Sequence, residues 1–376
     1  MSKGDKETSV LTSGVEDFCC KGRIDRKNWK RVRLGDVCEI TKGEQLNRAT
    51  LAETGIIPVY NGGSTPSGYT EKSNTDADNI IISEGGNSCG YVNFIHVPFW
   101  RGGHCYLLDT KLNKSLLYYI LKFHEPKIMA LRVGTGLPNI QRERLKNFEF
   151  YFPTNNSEQE FIVSCLVAID NHISSLQTLI SKYQAIKKST VNLLLKPKTG
   201  WKRMKLDEIC MCLDNYRKPV NEVERADMQG DIPYCGANGI VDYVNDFTID
   251  DSIILIAEDG GYFDEHDSRP IAYRIKGKAW INNHAHILKA KKEHCQDFIF
   301  YSLEHKDITP FITSGTRAKL TKGELSNIEI SVPSSFPEQY KIAEHIAAID
   351  NVLTAYKIQL EKARQLKAGM MSYFFG

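Results

Sequence analysis

The chain has 376 residues, 41% of them hydrophobic and 25% charged, with a formal net charge of +2. That length allows two or three domains, each with its own core. The near-neutral charge neither demands nor excludes a nucleic-acid partner, and no run of about 18 apolar residues offers a membrane span.

The polar start, residues 1–10, lacks the basic-then-apolar order of a secretory leader, so the cytoplasm is the expected compartment. The ten cysteines are therefore expected as reduced thiols. Cys19-Cys20 and Cys210-Met211-Cys212 lack the CxxC spacing and the matching second pair of a structural zinc site, and no metal is expected.

In chain order, residues 1–28 form an N-terminal extension, either a disordered arm or a completion of the scaffold. Lys21, Arg23, Arg26, Lys27, Lys30, Arg31 and Arg33 stand against a single Asp25, which reads as a solvated junction or as a phosphate-facing patch. Short β-branched and apolar runs bounded by Gly, Asn and Pro follow at residues 37–41, 56–60, 79–83, 89–95, 104–108 and 148–152, and are expected as strands. A helix is expected at 114–124, with Leu116, Ile120 and Phe123 on one face. The unit is thus mixed α and β.

Its loops are polar and glycine-rich. Asn61, Ser64, Thr65 and Tyr69 lie in one, Asn87, Ser88 and Tyr91 in a second, and Arg132, Thr135, Asn139 and Arg142 in a third. Such donors and acceptors suit base edges and phosphates, and equally well ordinary turns.

From Glu158 apolar residues recur in steps of four and three at Ile162, Leu166, Ile169, Ile173, Leu176, Ile180 and Tyr183, the seam of a coiled coil. Pro153 with Ser157-Glu158-Gln159 marks the start, and Lys196-Pro197 with Gly200 the end. A helix of about 38 residues would be roughly 57 Å long, far more than one small core needs.

Then the chain repeats itself. Trp29-Lys30-Arg31-Val32-Arg33-Leu34 returns as Trp201-Lys202-Arg203-Met204-Lys205-Leu206, and Glu158-Gln159 with Ala168-Ile169-Asp170-Asn171 returns as Glu338-Gln339 with Ala348-Ile349-Asp350-Asn351. Glu84-Gly85-Gly86 roughly answers Glu258-Asp259-Gly260, Trp100 and His104 answer Trp280 and His284, and a second globular helix is expected at 296–305. The second seam is Ile342, Ile346, Ile349, Leu353, Tyr356, Leu360 and Ala363, continuing through Met370 and Phe374; both seams are interrupted at the same place, by Lys187 and Lys367. In this copy the loop residues of interest are Asn238, Tyr243, Tyr262, His266, Arg269, Thr316, Arg317 and Lys319. A period of about 175 residues is a tandem duplication of one large unit, not a solenoid. Each helix could pack on its own globular part, but two stripes in one register favour pairing with each other, and an antiparallel pair relates the halves by a pseudo-twofold axis.

The paired openings, the FxFYFP and IEISVP runs and the two EQ…AIDN helices resemble the specificity subunits of type I restriction-modification enzymes, over residues 29–375. The resemblance implies an α+β fold: two tandem mixed α/β target-recognition domains, residues 29–155 and 199–335, and two long spacer helices, residues 156–198 and 336–376, forming an antiparallel coiled coil. It also implies a bipartite, asymmetric double-stranded DNA target, docking of two DNA methyltransferase (modification) subunits, and association with restriction/translocase subunits. No membrane partner is expected. No base-methylation, phosphate-loop, HExxH or GxGxxG motif occurs, so neither catalytic residues nor cofactors are expected. The alternatives are a coiled-coil scaffold that binds proteins instead of DNA, and a magnesium nuclease using Asp250, Asp251, Glu258 and Asp259.

Overall fold

The structure, a computed structural model, describes residues 24, 26–134, 136, 138–313 and 318–376. Most of the N-terminal extension, with Cys19 and Cys20, and also Thr135, Thr316 and Arg317, lie outside these residues. The chain divides into two units, residues 1–176 with 359–376, and residues 177–358.

In the first unit, the Trp-Lys-Arg-Val-Arg opening is a strand, β1 (Trp29–Arg33), which buries Trp29 and turns its basic residues outward. It pairs antiparallel with β9 (Glu149–Pro153), far along the chain. Leu34 is fully buried and its N–H donates to Phe148 O at 2.8 Å, so the chain coils into one helical turn, α1 (Leu34–Val37), before β2 (Cys38–Lys42). Val37, expected in the strand, therefore closes that turn. β3 (Ile57–Tyr60), β4 (Gly68–Thr70), β5 (Asn79–Ser83), β6 (Val92–Ile95), β7 (Trp100–Arg101) and β8 (Cys105–Thr110) follow. Residues 89–91, expected in that strand, precede β6, with 89 and 90 in a turn. The strands form a sheet of order β2-β8-β5-β6 and a smaller one of order β4-β3-β7. Helix α2 (Lys114–Phe123) packs on β5 and β6; Leu116, Leu117 and Ile120 enter a core with Ile80, Ile82 and Leu108. Short helices α3 (Glu125–Met129) and α4 (Arg142–Lys146) precede β9, and α5 (Asn156–Leu194) begins in this unit.

The second unit repeats the plan: β10 (Lys202–Lys205), α6 (Leu206–Ile209), β11 (Cys210–Cys212), α7 (Glu222–Ala226), β12 (Gln229–Gly236), β13 (Gly239–Val244), β14 (Ile249–Ala257), β15 (Ala272–Ile281), β16 (Ala285–Ala290), α8 (Gln296–Leu303), α9 (Lys322–Asn327), β17 (Glu329–Val332) and α10 (Phe336–Phe375). Here six strands form one sheet, β11-β16-β14-β15-β12-β13. The difference has a local cause. Strand β15 pairs with β14 over Ala272–Ala279 and then runs parallel to β12 at Trp280 and Ile281. In the first unit the same path is cut into β6 and β7, with Pro98, which has no N–H to give, between them.

Each unit contains a stretch of both long helices. In the first, the Phe161 and Phe374 rings lie 6.5 Å apart and Asp170 holds Lys367, so a rise along α5 matches a fall along α10. In the second, Tyr183 meets Tyr356 at 5.5 Å and Lys187 meets Asp350 at 2.8 Å, with the same sense. The helices are antiparallel in both. Of the seam residues, Ile162, Leu166, Ile169, Leu176, Ile342, Ile346, Leu353, Ala363, Met370 and Phe374 are buried. Ile173, Ile180, Tyr183, Ile349, Tyr356 and Leu360 are half-buried.

Candidate nucleic-acid interface

The repeated motifs tie each globular part to its helices. The Trp29 indole N–H donates to Glu158 Oε1 at 3.2 Å, and the Trp201 indole to Glu338 Oε1 at 3.2 Å. Gln159 and Gln339 donate to the carbonyls of Pro153 and Pro333, at 2.9 and 3.0 Å. The AIDN aspartates do the most. Asp170 accepts from the Tyr119 hydroxyl at 2.8 Å and pairs with Lys367; Asp350 accepts from the Tyr301 hydroxyl at 2.8 Å and pairs with Lys187. Lys367 and Lys187 also lie over the Tyr119 and Tyr301 rings, both at 5.6 Å. The lysines that interrupt the seams are thus the cations of a half-buried Asp–Lys–Tyr cluster joining α5, α10 and the globular helix of each unit. Such polar contacts within an apolar seam specify register.

At the opposite ends of the sheets, away from β1 and β10, the loops gather. In the first unit Asn61 Oδ1 accepts from His104 N at 3.2 Å, Gly63 N donates to Ser83 Oγ at 3.3 Å, and Asn93 donates to Gly63 O at 3.3 Å. Gly62 and Gly63 have φ of 87° and 103°, open to glycine at no steric cost, and a Cβ on Gly63 would lie 3.9 Å from Ser88 Oγ. Gly86 N donates to Pro138 O at 3.0 Å, Ile140 N to Glu84 O at 2.8 Å, and Gly85 bridges Asn139. Val133 and Asn139 exchange backbone bonds of 2.8 and 3.0 Å and close the third loop at its base. Asn61, Ser88 and Asn139 are thereby brought together. Asn87, Ser64, Thr65 and Arg132 are exposed on the same three loops, and Arg142, also exposed, opens α4. Tyr69 lies in β4, its backbone paired with Ala52, and the Tyr91 ring lies under the Lys122 ammonium, 3.7 Å from it.

In the second unit Asn238, at the β12–β13 turn, donates to Gly260 O at 2.8 Å, and Lys319 pairs with Glu258 at 2.8 Å and bridges Asp259. Asn238 and Lys319 thus meet the segment 258–260. Tyr262 and Arg269 stack, 4.1 Å from ring centre to guanidinium. His266 is turned inward, its Nδ1 3.1 Å from Phe263 O and its carbonyl 2.7 Å from His305 Nδ1. Tyr243 is exposed on the outer strand β13.

Beneath both loop clusters sits a glutamate at the end of a central strand. Glu84 pairs with Lys42, and the Tyr106 hydroxyl lies 3.1 Å from Glu84 Oε1 and 3.0 Å from Ile140 O. Glu258 pairs with Arg217 and Lys319, and His286 Nε2 lies 2.8 Å from Leu320 O. His286 Nδ1 lies 2.7 Å from Asp214 Oδ2. Burial alone would lower the imidazole pKa, but Asp214, Cys212 and the Leu320 carbonyl together hold its proton and push it up to about 9. Burial likewise opposes ionisation of Glu258, but Lys319 and Arg217 bring its pKa below the usual carboxylate value. Of these anchoring partners, Lys319 alone stood out in the sequence as a site residue. The signal was there in the matching position of Glu84 and Glu258.

Cys212, Asp214 and His286 place three metal-ligand atoms within 4.8 Å of one another. The Arg217 guanidinium stands 3.2 Å from Asp214 Oδ2, however, and both imidazole nitrogens have acceptors, so positive charge already fills the place a cation would take. Three of the four carboxylates weighed for magnesium are engaged separately: Asp251 with Lys289, Glu258 with Arg217 and Lys319, Asp259 with His284. The eight cysteines among the described residues are free thiols, and burial pushes Cys38 and Cys105 up to about 11. No helix among the described residues is long and apolar enough to cross a membrane.

Residues 26–185 and 198–363 match the family model of the type I restriction modification DNA specificity domain. A Mycoplasma genitalium protein named as a type I specificity subunit is 26% identical over 379 aligned positions, spanning 93% of this chain and 94% of its own. A Haemophilus influenzae protein named as a type I restriction enzyme specificity subunit is 39% identical over 146, spanning 38% of this chain and 37% of its own. The fold agrees with the crystal structure of the type I restriction-modification S subunit from M. genitalium, with a TM-score of 0.76 at 24% identity over 93% of this chain and 96% of that one. Matched in both halves, the chain belongs to the type I restriction-modification DNA specificity family, as a specificity subunit with two tandem recognition domains.

Proposed function

We propose that each recognition domain reads one part of a split, asymmetric double-stranded DNA target, with the two long helices as spacer and as the docking site for two methyltransferase subunits, which restriction/translocase subunits join. The chain itself is then non-catalytic and works in the cytoplasm without a cofactor. One observation carries this reading: the contacts of each unit to the helices repeat residue for residue, whereas those beneath the loops keep the glutamate and change its partners. A scaffold that meets one kind of partner twice keeps the first set, and two surfaces reading different sequences diverge in the second. Asn61, Ser88, Arg132, Asn139 and Arg142 in one unit, and Asn238 and Lys319 in the other, are the proposed DNA contacts.

Mapping methylated bases in the host genome, with and without this gene, tests the proposal. The expected result is one motif of two unlike half-sequences at a fixed gap, lost on deletion. A single continuous motif, or no change, would overturn it.

A further inference from the structure

Glu84 and Glu258 occupy one structural position. The N–H of each donates to a histidine carbonyl, of His104 and His284, both at 2.8 Å; the carbonyl of each accepts from the residue where the third loop returns, from Ile140 N at 2.8 Å and from Leu320 N at 2.7 Å. The side chain of each is mostly buried, 14% and 15% exposed. Everything around the carboxylate has been exchanged. The side chain that reaches the returning carbonyl is Tyr106 in one unit and His286 in the other, at 3.0 and 2.8 Å. Where β2 ends in Lys42, the matching residue is Asp214, and the cations on Glu258 come instead from Arg217 and Lys319.

A buried carboxylate is retained only where charge and hydrogen bonds compensate it, and here the compensating groups differ while the carboxylate stays. Its constant neighbour is the base of the loop closed by Val133 and Asn139 in one unit and by Thr313 and Lys319 in the other, with bonds of 2.8 and 3.0 Å and of 2.9 and 3.4 Å. We infer that Glu84 and Glu258 are positioning residues for half-site recognition, each holding in place the base of its third loop, Val133 with Asn139 or Thr313 with Lys319, and thereby setting the base preference of its own half of the target alone. The inference rests on reading these loops as DNA-contacting. A polar contact to a base discriminates only when it is held in place.

The test uses the full chain and a duplex library randomised across the target, captured and sequenced. Glu258→Gln should lower base discrimination about tenfold, the worth of one well-placed base contact, in one half-motif; Glu84→Gln should do so in the other. The salt dependence of binding, which reports phosphate contacts, should stay unchanged. Restoring a clamp by transplanting the first unit's partners, with Asp214→Lys and His286→Tyr in one chain, should leave both half-motifs sharp. Lys42→Gln, at a half-exposed side chain where folding is not at stake, should blunt the same half as Glu84→Gln and decides the matter if the glutamate variants fail to fold. Equal loss in both halves, or no loss in either, overturns the inference. If the unaltered chain selects no motif, it is the functional reading that fails instead.

Discussion

The helix-facing side and the loop side of each recognition domain have diverged to very different degrees. On the helix side Trp29, Gln159, Asp170, Tyr119 and Lys367 have counterparts in Trp201, Gln339, Asp350, Tyr301 and Lys187, with matching partners. On the loop side the counterpart of Lys42 is Asp214 and that of Tyr106 is His286, with different partners. Side chains that must meet the same helices in both copies are held by that contact. Those under the loops are free to change together, provided the buried glutamate stays compensated.

The comparison breaks most visibly at the lysines of the two helix-side clusters. Lys187 is 16% exposed and holds both Glu304 and Asp350, at 2.9 and 2.8 Å; Lys367 is 25% exposed and pairs with Asp170. Removing one partner of a buried pair leaves an uncompensated charge, a loss of about 3–5 kcal/mol. Lys187→Met should therefore approach that range, and Lys367→Met should fall well below it. Urea unfolding with proteolysis to identify the half that opens first provides the measurement. Equal losses would mean that the two clusters are energetically the same despite their different burial.

A pH difference between the loop-side clamps comes next. His286 has its pKa raised from 6.5 to about 9, so the stability its proton provides is fully present below about pH 6.5 and is lost as pH rises through 9, up to about 3 kcal/mol. Its counterpart Tyr106 is pushed above the ordinary phenol value, by burial first and then by Glu84, and stays neutral across that window. Thermal unfolding at pH 6 and pH 9.5 should show a larger fall for the unaltered chain than for His286→Gln, whose side chain does not titrate. Parallel falls would show that the imidazolium contributes nothing.

A smaller effect belongs to the tryptophans. Each indole donates one hydrogen bond to a glutamate at 3.2 Å, worth about 1 kcal/mol. Trp29→Phe and Trp201→Phe should each lose about that much, and a double-mutant cycle with Glu158→Gln or Glu338→Gln should return a coupling of similar size in both units.

Why some of this was readable from the residues and some was not follows from distance along the chain. The seams show because an apolar 3/4 period is written in consecutive turns. The Trp openings and the EQ…AIDN runs show as repeats, but the glutamates that the two tryptophans meet lie more than 100 positions away, so Trp29 meeting Glu158 leaves no local trace. Lys187 and Lys367 looked like breaks in an apolar stripe because the aspartates that answer them sit on the other helix. Strand β1 was missed because a two-stranded sheet with one buried Trp and four outward or half-buried residues has too little apolar alternation. The meeting of the three loops depends on backbone bonds such as Gly86 to Pro138, which any residue could make.

The smallest stability effect also separates the two sides by their charge. Arg31 pairs with Glu149 across β1 and β9, and Arg203 with Glu329 across β10 and β17, in both cases on exposed surface. Exposed pairs contribute about 0–1 kcal/mol, so Arg31→Ala and Arg203→Ala should barely alter unfolding. Their charge is also already answered by a neighbouring carboxylate, so neither should release counterions on binding, and the log–log slope of affinity against salt should not change. Arg132 is exposed in the third loop, and replacing it with Ala should reduce that slope by about 1, the signature of one lost phosphate contact. If Arg31→Ala flattens the slope and Arg132→Ala does not, the DNA lies along the strand that opens the repeat and the loops serve another purpose.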